Sequence, residues 1–139
     1  MKKISLAFLF ALLGFTTTFS QNDSSLLHGT WETKDEDSPV QMILDQRGFI
    51  TFKANGQLMG GVGYNVDGEI LRMTYRTHHE NSKTKITITI RDLVKKQILK
   101  RDTGTIVFHD PNNIEMCFKK TLQESNAVSN DCRKFLKIK

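Results

Sequence analysis

The chain has 139 residues, with 20 Lys+Arg against 15 Asp+Glu, a formal charge of +5 and two cysteines. That length suits one domain with a small hydrophobic core. The basic surplus is slight and its charges alternate in sign along the sequence, which speaks against the one-sided basic stripe of a nucleic-acid-binding protein.

Met1-Lys2-Lys3 opens the chain, and an apolar run follows from Ile4 to Phe15, broken by Ser5 and Gly14. The run is shorter than the roughly 20 apolar residues a membrane-spanning helix requires. Thr18-Phe19-Ser20 before Gln21 places small residues where a signal peptidase reads. Residues 1–20 are therefore expected to be a bacterial-type signal peptide for the Sec pathway, and 21–139 a secreted or periplasmic domain with no transmembrane segment after cleavage. Lys2 and Lys3 leave with the signal, so 18 basic residues face 15 acidic ones, a net +3. No cysteine lies near the cleavage site, so a lipid anchor is not expected.

Asp35-Glu36-Asp37 beside Ser38-Pro39 reads as a solvated loop, because a calcium site needs more oxygen ligands at regular spacing. Pro39 to Asp45 alternates at Val40, Met42 and Leu44 and suits either a short strand or a helical turn. Gly48 to Lys53 turns Ile50 and Phe52 inward, and Asn55-Gly56 is a strong hairpin signal. Gly60, Gly61 and Gly63 mark a bend within strand-like sequence. They are not a phosphate-binding loop, lacking a following helix and a Lys-Ser/Thr pair.

Asp67-Gly68 supplies the next turn, and Glu69 to Tyr75 places Leu71, Met73 and Tyr75 on one face. His78-His79-Glu80 is the one His/Glu cluster, at the start of a polar loop from His79 to Lys83. Adjacent strand residues point to opposite faces, so it reads as a solvated turn and no metal is expected. Lys85 to Ile90 alternates strictly between apolar and polar β-branched or charged residues, the mark of a half-buried strand. Asp92 to Arg101 suits a helix, or a turn at Val94-Lys95-Lys96 and a strand from Gln97; the flanking hairpins favour the strand. Its basic run, Lys95-Lys96 through Lys100-Arg101, then reads as a solvated strand pair.

Asp102-Thr103-Gly104 and Asp110 to Asn113 mark further turns. Ile114, Met116 and Phe118 share a face. Thr121 to Asn130 is a polar loop, and Arg133 to Lys139 suits a closing strand with Leu136 and Ile138 opposite Phe135. Turns at this rhythm, with no alternation of helix and strand, predict an all-β domain. An up-and-down antiparallel barrel of about eight strands would hide the sheet edges.

Cys117 falls out of phase with Ile114, Met116 and Phe118 and points outward. In an oxidising compartment Cys117 and Cys132 read first as one disulfide, with two free thiols as the alternative.

Leu26-Leu27-His28-Gly29-Thr30-Trp31 resembles the first strand of a lipocalin-like domain, whose Gly-x-Trp opens the barrel and whose Trp plugs one end. Three further stretches are similar to small secreted bacterial lipocalin-like proteins. They are Ile50-Thr51-Phe52 before Asn55-Gly56, Gly63-Tyr64-Asn65-Val66-Asp67 leading to Leu71-Arg72-Met73, and Gly104 to Phe108 before Ile114 to Cys117. The resemblance covers most of residues 26–118. The chain is shorter than a typical lipocalin and lacks the Thr-Asp-Tyr type motif. The family's last-strand Arg over the first-strand Trp has Arg133 as its candidate, with Lys119 and Lys120 as rivals.

The residues expected to face inward are Trp31, Ile50, Phe52, Tyr64, Met73, Tyr75, Ile86, Ile88, Ile106, Phe108, Met116 and Phe118. They either fill a solid core or line a cavity. The cavity candidates are Trp31, Phe52, Tyr64, Met73, Tyr75, Ile86, Ile88, Phe108 and Met116. No Gly-x-Ser-x-Gly, no Ser-x-x-Lys and no Cys with a His partner is present, so neither catalysis nor a cofactor is expected. His28 and His109 read as surface or rim residues. Two functions fit. One is a barrel holding a small hydrophobic or amphipathic ligand. The other is a solid barrel whose loops, such as Glu32–Pro39 and Thr77–Lys83, contact an envelope protein or a glycan. Nucleic acid is not an expected partner.

Overall fold

A computed structural model of the chain describes residues 23–121 and 128–139; the expected signal peptide lies outside them. A short helix, α1 (Asp23–Leu27), precedes ten strands: β1 (Gly29–Thr33), β2 (Gln41–Leu44), β3 (Ile50–Ala54), β4 (Gln57–Gly60), β5 (Tyr64–Val66), β6 (Glu69–Glu80), β7 (Lys83–Asp92), β8 (Gln97–Asp110), β9 (Asn113–Thr121) and β10 (Val128–Lys137). They form one antiparallel sheet in the order β4-β3-β2-β1-β10-β9-β8-β7-β6-β5. Every paired strand is consecutive in the chain except β1 with β10, and the consecutive strands β4 and β5 are the two edges of the sheet, the up-and-down arrangement expected from the hairpin rhythm.

The sheet rolls into a nearly closed barrel. Its edge strands β4 and β5 are short, and β6 reaches past β5 to the start of β3. There the Tyr75 N–H donates to the Gly48 carbonyl at 2.8 Å, the Met73 N–H donates to the Gly61 carbonyl at 3.0 Å, and Phe49 bridges Thr74. The bend that makes this seam rests on Gly60, whose φ is 111°. A Cβ there would collide with the Ile50 carbonyl oxygen, so the corner needs glycine.

Strand count is ten rather than about eight, because the Gly60–Gly63 bend separates β4 from β5 and the Pro39–Asp45 segment forms a strand of its own. Three expected breaks are corrected. Asp102-Thr103-Gly104 is not a turn but the middle of β8; Gly104 faces Phe118 across the ladder, and its missing side chain makes room for that ring. His79 to Lys83 is a tight hairpin, with Asn81 at φ 50° and Ser82 at φ 61°, the left-handed pair a two-residue connection needs. β9 runs to Thr121 and β10 starts at Val128, so the loop between them is shorter than Thr121–Asn130; residues 122–127 lie outside the description.

The expected strand from Gln97 is present, entered by a turn built on Asp92. Its buried carboxylate accepts the N–H groups of Val94 and Lys95, both at 2.9 Å. Helix α1 is an addition, since the apolar pair Leu26-Leu27 gave no helical period. Every residue expected to point inward belongs to the core or packs against it. Alternation along the strands is sufficient to assign that face. No helix among the described residues is long and apolar enough to cross a membrane.

Candidate functional site

The register places α1, the C-terminus and the β6–β7 and β8–β9 turns at one end of the barrel. The β3–β4, β5–β6 and β7–β8 turns lie at the other. The first end is sealed. Trp31 is fully buried, and its indole N–H donates to the Leu27 carbonyl at 2.7 Å. Leu27, Met42, Leu44, Ile50, Ile86 and Ile114 are equally inaccessible around it.

Lys137 stands directly opposite Trp31 in the β1–β10 register. Its ammonium lies 5.3 Å from the centre of the indole ring and donates to the Leu26 carbonyl at 3.1 Å. The cation over Trp31 is therefore Lys137. Arg133 is four residues nearer the other end, paired with Met116. Lys119 and Lys120 lie on β9, farther still from Trp31.

Above the sealed floor the interior opens. A cavity of about 390 Å³ is bounded by Val40, Met42, Phe52, Ala54, Met59, Met116, Phe118, Asp131, Arg133 and Phe135. Its wall is apolar except for Asp131 and Arg133, which share the inward phase of β10 with Phe135. Neither makes an ion pair with a described residue. A smaller hollow of about 260 Å³ shares Phe52, Ala54 and Met59 and adds Leu58, Tyr64 and Val66.

Of the nine cavity candidates, Phe52 and Met116 line the larger space and Tyr64 the smaller. Trp31, Met73, Tyr75 and Ile86 are buried in the core, with Ile88 and Phe108 packed against it. Met42 and Phe135 lie on strand phases already read, and Asp131 and Arg133 lie on the same phase of β10 as Phe135, whereas Met59 enters the wall through the roll of the sheet.

The expected disulfide is present. Cys117 and Cys132 are directly opposed on β9 and β10, with Cα atoms 4.0 Å apart. The bridge lies outside the barrel because their neighbours Met116 and Arg133 point in. It therefore clamps the two strands that carry one wall of the cavity, rather than pinning a loop to the surface. Glu115 approaches its sulfurs, but sulfurs bonded to each other leave no thiolate for a metal. His78 and His79 are consecutive on β6, and His78 Nε2 lies 3.7 Å from Glu80. Asp35, Glu36 and Asp37 are exposed in the β1–β2 loop.

No family model matches the chain, and no curated protein matches it. Among solved structures, the crystal structure of Treponema pallidum Tp0751 (pallilysin) is similar, with a TM-score of 0.49 and 14% sequence identity, over 83% of this chain and 80% of that chain.

Proposed function

We propose that this chain is an exported, non-enzymatic binding protein: a lipocalin-like barrel that holds a small hydrophobic or amphipathic molecule. The observation that carries the reading is the 390 Å³ space above the sealed Trp31 floor, apolar except for Asp131 and Arg133. That volume falls in the usual range of small-molecule sites, and a few polar groups in an apolar wall fix a ligand's orientation. Met42, Met59 and Met116 supply side chains that adapt to ligand shape. Export through the signal at residues 1–20, with 21–139 as the working domain, is supported by the Cys117–Cys132 bond, since disulfides persist in oxidising compartments.

The test fills the space. Ala54 lines both hollows and is half-buried, so Ala54→Trp occupies volume without removing a core side chain. The protein is expected to bind a fluorescent acyl probe and to melt at a higher temperature with it. Ala54→Trp should lose both effects while keeping its own melting transition. Equal probe binding by the filled variant would sink the proposal.

A further inference from the structure

The outer face of β6, β7 and β8 carries a second cleft, separate from the interior. It has a volume of about 570 Å³ and is polar, bordered by Arg76, Arg91, Arg101 and the hydroxyls of Thr74, Thr87 and Thr89. Thr89 is paired with Thr74 on one side and Arg101 on the other. Arg91 is two residues along from Thr89, and Arg76 two along from Thr74. Directly opposed residues stand about 5 Å apart and their diagonal neighbours about 7 Å, so three guanidinium groups bracket Thr89 within side-chain reach.

All three arginines are exposed, and none pairs with a carboxylate among the described residues. Glu80, at the far end of the face, is engaged with His78 at 3.7 Å. Lys85, bonded to the Thr105 hydroxyl at 3.3 Å, and Arg72, bonded to the Val62 carbonyl at 3.0 Å, extend the positive field. Like charges gathered on one sheet face repel, and a bound polyanion would relieve that cost.

We infer that this face binds an acidic polysaccharide, one bearing sulfate or carboxylate groups along its chain. Guanidinium forks match the paired oxygens of those groups. The threonine hydroxyls between them both donate and accept, as sugar hydroxyls require. The polar floor offers no apolar bed for a lipid chain. Base stacking uses a series of aromatic platforms, whereas the cleft offers one exposed ring, the His78 imidazole, set 3.7 Å from Glu80; the Tyr75 ring turns into the barrel, with its hydroxyl on the Asp45 carbonyl. The site is independent of the interior cavity and stands whether or not that cavity is filled.

The test uses heparin as the probe, titrated at low and at high salt. The protein should bind it, more weakly as salt screens the charges. Arg76→Gln/Arg91→Gln/Arg101→Gln should lose at least about tenfold in affinity, while Lys119→Gln/Lys120→Gln/Lys134→Gln, which removes the same charge elsewhere, should change it less than about twofold. Arg91→Glu alone, at an exposed position, gives the same direction should the triple variant fold poorly. Equal loss in both triple variants, or no heparin binding, overturns the inference. Tighter binding of single-stranded DNA or phosphatidylglycerol vesicles through the same arginines overturns the choice of polysaccharide. Competition by inorganic sulfate at matched charge would reassign the cleft to a small anion.

Discussion

Lys137 lies with its ammonium 5.3 Å over the indole ring of Trp31, on the neighbouring strand and in direct register. The same ammonium holds the Leu26 carbonyl, so one side chain fastens both the plug residue and the helix beneath it. Removing a partly buried cation–π contact and a charged hydrogen bond costs about 1 to 2 kcal/mol together. Lys137→Met should lower stability by that amount in urea titrations followed by the emission of Trp31, the one tryptophan of the chain. Lys137→Arg should retain most of it. An unchanged midpoint for Lys137→Met would remove this role.

The disulfide closes a loop with a sequence separation of 15. In the chain-entropy model a loop of that size is stabilised by about 3 kcal/mol. Reduction should shift the urea midpoint accordingly. Because β9 and β10 form part of the cavity wall, it should also weaken acyl-probe binding. Alkylation of two thiols in the unreduced protein would show that the bond is absent.

A Cβ at Gly104 would stand 2.7 Å from the Cys117 carbonyl oxygen and 2.8 Å from the Phe118 ring. Overpacking at such a site costs about 1 to 3 kcal/mol. Gly104→Ala should therefore destabilise by that order. Phe118→Leu in the same chain should recover part of the loss, a coupling a double-mutant cycle reads directly. Strict additivity would refute the packing account.

Tyr75 and Asp45 set opposite pH limits. Burial first, then the negative charge of Asp45, pushes the Tyr75 hydroxyl from 10.0 up to about 12. The folded state keeps this proton where the unfolded chain has lost it. Its contribution, about 2 to 3 kcal/mol, is complete below pH 10 and is lost as pH rises toward 12. For Asp45, burial acts upward. It is outweighed by hydrogen bonds from the Phe49 N–H and from the side chain and N–H of Arg47, together with the Arg47 charge, so the carboxyl sits below 3.8. That contribution is present above pH 3.8 and fades as pH falls through the lowered value. Urea midpoints across pH should show both limbs. Tyr75→Phe should flatten the alkaline limb alone, and an unaltered alkaline slope would contradict the assignment.

The inward faces were legible because strand side chains alternate strictly: Ile86 and Ile106, or Met73 and Met116, could be placed without any knowledge of pairing. Register was not. The last strand lies beyond a segment of low apolar content, and whether Arg133 or Lys137 meets Trp31 depends on a shift of four residues that no local pattern encodes. Gly104 misled for a related reason. Its role is to leave space for Phe118, a residue of another strand, and a glycine two residues after an aspartate otherwise reads as a turn. The cavity itself could be anticipated only as one of two outcomes. Whether Phe52 or Ile88 borders empty space is decided by how the sheet rolls, not by the polarity of either residue.

Both ends of the described chain are fastened at the floor. The Thr30 N–H donates to the Lys139 carbonyl at 2.9 Å, beside the contact between Lys137 and Leu26. The molecule thus has a handle and a face: an affinity tag, a fusion partner or a surface tether joined at Lys139 would hang from the base and leave the rim around Ala54 and Met59 unobstructed. An array immobilised through that end would hold the mouths of the cavities facing away from the support.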